Sequence, residues 1–126
     1  MMTNITEQKL SAKLEEFERS TLYLKNNFSI AYLAVYCGVN SKYLSHLIKK
    51  HKNKDFNNYI NELRINYIID KLRKCSHHRN YKIATLAEEA GFSSPNKFSA
   101  VFKKHTSFSP SFFIKCLEKK LPEYII

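Results

Sequence analysis

The run "IAYLAVYCG" (Ile30–Gly38) returns later in the chain as "IATLAEEAG" (Ile83–Gly91), with Ile, Ala, Leu, Ala and Gly in register at an offset of 53 residues. Past the glycine the offset becomes 54, so the second copy carries one extra residue there. Leu44 then matches Phe98, Ser45 matches Ser99, Ile48 matches Phe102, and Lys49-Lys50-His51 matches Lys103-Lys104-His105. Phe56 falls on Pro110 and Tyr59 on Phe113. A chain of 126 residues that repeats one supersecondary unit is expected to build two small, similar cores.

Each copy reads as helix, tight turn, helix. Ile30, Leu33, Ala34 and Cys37 lie at i, i+3, i+4 and i+7, as do Ile83, Leu86, Ala87 and Ala90, which makes one apolar face in each. Gly38 and Gly91 stop these helices, because glycine takes a positive φ at little cost. Asn40 and Ser94 then offer side-chain oxygens to the first free N–H groups of a second helix. Pro95 stands at N1, where no hydrogen bond is lost. The second helices are expected at about 41–51 and 95–105, burying Leu44, Leu47 and Ile48, and Phe98, Val101 and Phe102. Helix, short glycine-containing turn and helix together make a helix-turn-helix unit.

The remainder serves as scaffold. Leu10, Leu14, Phe17 and Leu24 are spaced as one face of an amphipathic amino-terminal helix over residues 1–27, expected to pack on the first subdomain. The first helix-turn-helix takes residues 28–54. A linker helix capped by Asp55 takes 55–75, with Phe56, Tyr59, Ile60, Leu63, Tyr67 and Leu72 largely on one side. A helix of about 20 residues is about 30 Å long, close to the ~34 Å of one DNA turn. The second helix-turn-helix takes 76–120, starting with the polar loop Ser76–Lys82 and ending in a helix opened by Ser109-Pro110; a tail follows at 121–126. With only two glycines and three prolines, the composition favours helix over sheet.

Charge narrows the function. The formal net charge is +10, yet residues 1–28 hold four basic and four acidic side chains, so the whole excess lies in 29–126. A localised basic excess is the footprint of a polyanionic partner, nucleic acid first and an anionic membrane surface second. Cys37, Cys75 and Cys116 are odd in number and far apart, which fits a reducing cytosol better than a disulfide framework. No signal peptide and no apolar run near 18 residues is present, so the expectation is a chain neither secreted nor membrane-spanning. Paired carboxylates, a nucleophile with its base and a phosphate loop are all missing, which argues against an enzyme.

A helix that enters a major groove needs short polar or basic side chains near its N-terminus. Ser41, Lys42, Ser45 and His46 point away from the apolar stripe of the first unit, and Pro95, Asn96, Lys97, Ser99 and Ala100 from that of the second. These are the candidate base-reading residues. Asn96 can pair with adenine N6 and N7, Lys42 and Lys97 with guanine or phosphate, His46 with guanine or phosphate, and Ala100 with a thymine methyl. Because the two faces differ, the expected site is non-palindromic. Lys49, Lys50, Arg64, Lys103 and Lys104 are the candidate phosphate contacts; Arg64 alternatively pairs with Glu62 or Asp70 on its own helix. Plainer readings compete. A basic face is often only solvated, and Phe98, Phe102, Phe112 and Phe113 sit at core spacing rather than as stacking platforms for single strands. Cys75, His77 and His78 lack a second ligand pair at zinc spacing and read as loop.

The second copy resembles the AraC/XylS family signature of bacterial transcription regulators through Ala87, Gly91, Phe92, Ser94, Phe98, Phe102, Lys103, Ser109-Pro110 and Phe113. The first copy is similar to that family's amino-terminal helix-turn-helix through Leu33, Ala34, Leu44, Ser45, Lys49, Lys50, Phe56, Tyr59 and Arg64. The resemblance spans roughly residues 28–115. It implies an all-α fold of about seven helices, with two helix-turn-helix subdomains joined by a long linker helix. It implies both recognition helices in successive major grooves, with helix starts and lysines on phosphates. Asn53 and Ser107 depart from it, standing where the family usually has glycine, and Ile114 stands where it often has arginine. The expected function is sequence-specific double-stranded DNA binding at a promoter, in the bacterial cytoplasm at the nucleoid, without cofactor or metal. RNA polymerase is a further candidate partner, no membrane contact is expected, and the chain is a monomer or dimerises through parts outside it. Two other classes compete: a protein-interaction module using the Leu10–Leu24 face, and a non-specific binder of RNA or single-stranded DNA.

Overall fold

The computed structural model describes residues 2–118, all of whose regular elements are helices. The tail assigned to 121–126 lies outside the described residues. In chain order the helices are α1 (Met2–Glu18), α2 (Ile30–Cys37), α3 (Ser41–Lys52), α4 (Phe56–Lys74), α5 (Ser76–Arg79), α6 (Ile83–Glu89), α7 (Pro95–Thr106) and α8 (Pro110–Leu117). A single 3-10 turn spans Leu22–Leu24. The eight helices exceed the expected seven by α5, a one-turn helix inside the segment read as polar loop. The chain divides into two compact units, 1–63 and 64–126, and the division falls inside α4.

In the first unit the apolar face of α1 is fully used. Leu10, Leu14 and Phe17 are buried in the unit's own core, so these three side chains are not offered to a protein partner. Leu24 departs from that face, because α1 ends at Glu18 and Leu24 belongs to the 3-10 turn. Phe17, fully buried, is the hub: its ring lies 5.3 Å from Phe28, 5.9 Å from Tyr23, 6.2 Å from Tyr36 and 6.3 Å from Tyr59. Leu33 and Ala34 from α2, Leu44, Leu47 and Ile48 from α3, and Tyr59 and Ile60 from α4 complete the core. The Tyr59 hydroxyl donates to Glu18 over 2.5 Å; burial, then this bond, drives its pKa far above the ordinary tyrosine range.

The second unit packs Leu86, Ala87 and Ala90 of α6, Phe98 and Phe102 of α7, and Ile114 of α8 against Ile65, Ile68 and Leu72 of α4. Ile65 and Ile68 were not in the expected stripe. Of that stripe, Tyr59 and Ile60 are buried in the first unit and Leu72 in the second, with Tyr67 half-buried against the same core, while Ile65 and Ile68 take the fully buried places after Leu63. Four aromatics run through this core, Phe92 to Phe98 at 5.5 Å, Phe98 to Phe102 at 5.7 Å and Phe102 to Phe113 at 5.4 Å. His78 of α5 faces Glu89 at 2.8 Å; that bond, then Cys75, holds the imidazole pKa above its ordinary value.

Both copies turn in the same way. Gly38 has φ 72° and Gly91 φ 89°. The amide after each glycine reaches back five residues, Val39 N–H to Ala34 O at 3.1 Å and Phe92 N–H to Ala87 O at 2.9 Å. These are the bonds of a Schellman stop. Both second helices also end left-handed, at Asn53 (φ 59°) and Ser107 (φ 72°), so the expected glycine positions keep a glycine-like backbone without glycine.

Two stability outcomes follow from these cores and turns. Phe102→Ala should cost about 3–5 kcal/mol, a large share of the stability of a small domain; an unchanged circular dichroism melt would remove Phe102 from the core. Ser107→Gly should stabilise by about 0.5–1 kcal/mol, because it relieves a side chain held at positive φ. Asn53→Gly should gain less, since asparagine tolerates that region. Thermal melts of the pair test the ordering, and a lower melting temperature for Ser107→Gly contradicts it.

Candidate nucleic-acid interface

Helix α3 starts at Asn40, whose Oδ1 accepts the Tyr43 N–H at 2.8 Å. Burial of Leu44, Leu47 and Ile48 leaves Lys42, Ser45, His46 and Lys49 exposed on the other side, with Ser41 half-buried at the first turn. Helix α7 starts at Ser94, whose Oγ accepts the Lys97 N–H at 3.1 Å, with Pro95 at the first helical position. Phe98 and Phe102 point inward, while Pro95, Asn96, Lys97, Ala100, Lys103 and Lys104 are exposed and Ser99 is half-buried. Each unit therefore gathers its own candidate base-reading residues on one accessible helix face. The same caps recur where other helices begin: Ser29 accepts the Tyr32 N–H at 3.2 Å and Ser109 the Phe112 N–H at 3.2 Å. The Ser29 cap was missed in the sequence because a serine before an apolar run, without an acidic partner three residues on, is a weak signal.

The basic carboxyl ends of the two helices are not equivalent. The last turn of α3 carries Lys49, Lys50, His51 and Lys52. Lys50 donates to Glu7 at 2.9 Å, His51 Nε2 meets the same carboxylate oxygen at 3.1 Å, and Lys52 pairs with Glu18 at 2.9 Å. These bonds, Lys50 first and then His51, hold the Glu7 carboxyl below its ordinary range. On α7 neither Lys103, Lys104 nor His105 forms an ion pair with another described residue, and the same holds for Lys42, Lys49 and Lys97. In the sequence the carboxylates of α1 show only as the zero balance of residues 1–28; their pairing with the basic end of α3 is a contact in space.

Arg64 departs from the expected surface role. It is buried, its guanidinium lies 5.7 Å from the centre of the Phe92 ring, and burial lowers its pKa from the ordinary arginine value. The carboxylates considered as its partners are engaged elsewhere, Glu62 with Lys54 at 2.7 Å and Asp70 with Lys74 at 3.1 Å. Arg64 thus packs against the core of the second unit. Cys37, Cys75 and Cys116 are free, half-buried thiols, and among the described residues no cluster of three or more His, Cys, Asp or Glu is set to hold a metal. Among the same residues no helix is long and apolar enough to cross a membrane.

Two capped helix-turn-helix units, each with an exposed polar and basic second helix, define a class of nucleic-acid-binding domain. A model of the helix-turn-helix domain family matches residues 33–115. The chain belongs to this family, as an AraC-type DNA-binding domain of the bacterial transcription regulators, a family that is not enzymatic. It is 35% identical over 100 residues, 76% of the chain and 57% of the relative, to an uncharacterized HTH-type transcriptional regulator in the cgkA 5' region of Pseudoalteromonas carrageenovora. The chain thus spans little more than half the length of that relative. Its fold is similar to that of a transcriptional regulator of the AraC-type DNA-binding domain-containing proteins from Chromobacterium violaceum, with a TM-score of 0.70 at 23% identity, covering 87% of this chain and 92% of that one. It is also similar to the DNA-binding domain of AdpA, a global transcriptional factor, in complex with a target DNA, with a TM-score of 0.73 at 15% identity, covering 90% and 96%.

The charge distribution sets a measurable consequence. With about 4–8 phosphates neutralised, log K for duplex binding should fall with log salt at a slope of roughly −4 to −7. Titrations across a salt series check this, and a slope near zero would be incompatible with binding through these lysines.

Proposed function

We propose that this chain binds double-stranded DNA at a specific, asymmetric promoter site and regulates transcription from it, in the bacterial cytoplasm at the nucleoid. The observation that carries the proposal is the duplicated capped turn, which leaves one polar and basic helix face exposed in each unit. Each of α3 and α7 enters a major groove, and the two grooves are successive on the duplex. Ser41, Lys42, Ser45 and His46 meet base edges from α3, and Pro95, Asn96, Lys97, Ser99 and Ala100 from α7. Lys49, Lys103 and Lys104 meet phosphates. The contrast of Lys42 with Asn96, and of His46 with Ala100, supports two different half-sites read by one chain. Selection of bound duplexes from a random pool should return an asymmetric motif of about 15–20 base pairs, sized for two groove contacts about 10 base pairs apart. A pool that returns no motif overturns sequence-specific binding.

Position along α7 separates the roles. Asn96 lies on the first turn beside the Ser94 cap, where a short side chain reaches base edges if the N-terminus points into the groove. Lys103 lies in the last turn, suited to a phosphate that carries no sequence information. Asn96→Ala should cost about 1–3 kcal/mol on the selected site and relax preference at one or two base pairs. Lys103→Ala should weaken all sequences alike and reduce the salt slope by about 1. Competition binding across single-base variants checks both; the opposite pattern would assign the wrong face of α7 to the bases.

A further inference from the structure

The repeat makes the two recognition helices comparable position by position, and their carboxyl ends differ in one respect that the repeat does not explain. Lys50 and His51 of α3 correspond to Lys104 and His105 of α7. Lys50 Nζ and His51 Nε2 both lie on one oxygen of Glu7, at 2.9 and 3.1 Å, whereas Lys104 and His105 form no ion pair with another described residue. The Glu7 side chain is only 14% exposed while Lys50 remains 56% exposed, so the carboxylate is sheltered and the lysine stays within reach of solvent. An open groove of about 490 Å³, lined by Glu7, Ser11, Glu15, Lys50 and His51, gives a competing anion access to the cluster.

An ion pair whose lysine stays in solvent contributes little to stability, yet it changes the charge that the helix presents. Phosphate contacts carry affinity without sequence information, and each cation that neutralises a phosphate adds about 0.9 to the salt slope. A lysine already neutralised by a carboxylate adds none, because a phosphate must first displace Glu7 and then sit beside its freed negative charge.

We propose that Glu7 acts as a counter-ion clamp, withholding the carboxyl end of the first recognition helix from DNA phosphates and lowering the sequence-independent affinity of that unit relative to the second. This rests on the DNA-binding reading and adds a role for α1. The first unit then contributes through its base-reading face and Lys49, and the lysines of α7, in no ion pair with another described residue, supply the stronger phosphate anchor.

The test is a salt series with the full chain on a random-sequence duplex of about 20 base pairs, over about 50–200 mM salt. Glu7→Gln should tighten binding roughly three- to tenfold at the low-salt end and steepen the slope by about 1. Adding Lys50→Ala to Glu7→Gln should return slope and affinity toward the starting values, the signature of a coupled pair. Glu15→Gln makes the same charge change in the same groove without releasing a bonded cation, and should give a smaller gain. Should Glu7→Gln fold poorly in a circular dichroism melt, Glu7→Asp, which keeps the charge but shortens its reach, is read instead and should shift binding in the same direction. Unchanged slopes in Glu7→Gln and Glu7→Asp, or an equal gain in Glu15→Gln, overturn the clamp. An unmutated chain with no salt-dependent binding at all would instead overturn the DNA-binding reading beneath it.

Discussion

At Gly38 and again at Gly91 the backbone turns left-handed, and the next amide reaches back five residues to an alanine carbonyl. The rest of each unit depends on this stop. It ends the first helix where its apolar face has been used, and it delivers the chain to Asn40 or Ser94 in an extended conformation, ready to cap the second helix. Around Gly38 no atom beyond its own chain neighbourhood lies within 4 Å of where a Cβ would stand. The constraint there is therefore the dihedral angle and not space, and a side chain would be strained even with room to fit.

From that corner the direction of each second helix follows, and with it the division of its side chains. The inward positions are apolar in both copies but chemically different: leucine and isoleucine on α3, phenylalanine on α7. The first unit compensates with an aromatic hub from another element, Phe17 of α1, whereas the second carries its aromatics on the repeat itself and on α8. Outward positions such as Lys42, His46, Asn96 and Ala100 are exposed, so they can diverge with little effect on the core. Such divergence is what a chain needs to present two unlike surfaces from one architecture.

The amino-terminal helix does two jobs in the first unit. Its apolar face closes the core through Leu10, Leu14 and Phe17, and its acidic side chains meet the basic end of α3 through Glu7 and Glu18. The charge neutrality of residues 1–28 is thus an average over a helix whose carboxylates engage the positive segment that follows. Net charge alone overstates the free positive charge on the first unit, where Lys50 and Lys52 are paired, compared with the second, where Lys103 and Lys104 are not in ion pairs with described residues.

The helix-turn-helix corners, their caps at Asn40, Ser94, Asp55 and Ser109, and the buried faces of α3 and α7, except for a half-buried Val101, are legible in the sequence. Each depends on residues within a few positions of one another, so periodicity and local hydrogen-bond chemistry suffice. The all-α class and the duplicated plan followed from the same local signals, repeated. Contacts between distant residues were decided only by the tertiary structure. Arg64 reads as a surface cation until Phe92, 28 positions away, is found beneath its guanidinium. The shift of the buried register along α4 from Tyr59 and Ile60 to Ile65, Ile68 and Leu72 depends on which element covers each half of the helix. The pairing of Glu7 with Lys50 joins side chains 43 residues apart. Local sequence determined where the chain turns and which faces are apolar, because those choices are made within one or two helical turns. Which exposed charges remain available was left to the packing of α1 and α4, because a Coulomb interaction depends on distance through space and not on separation along the chain.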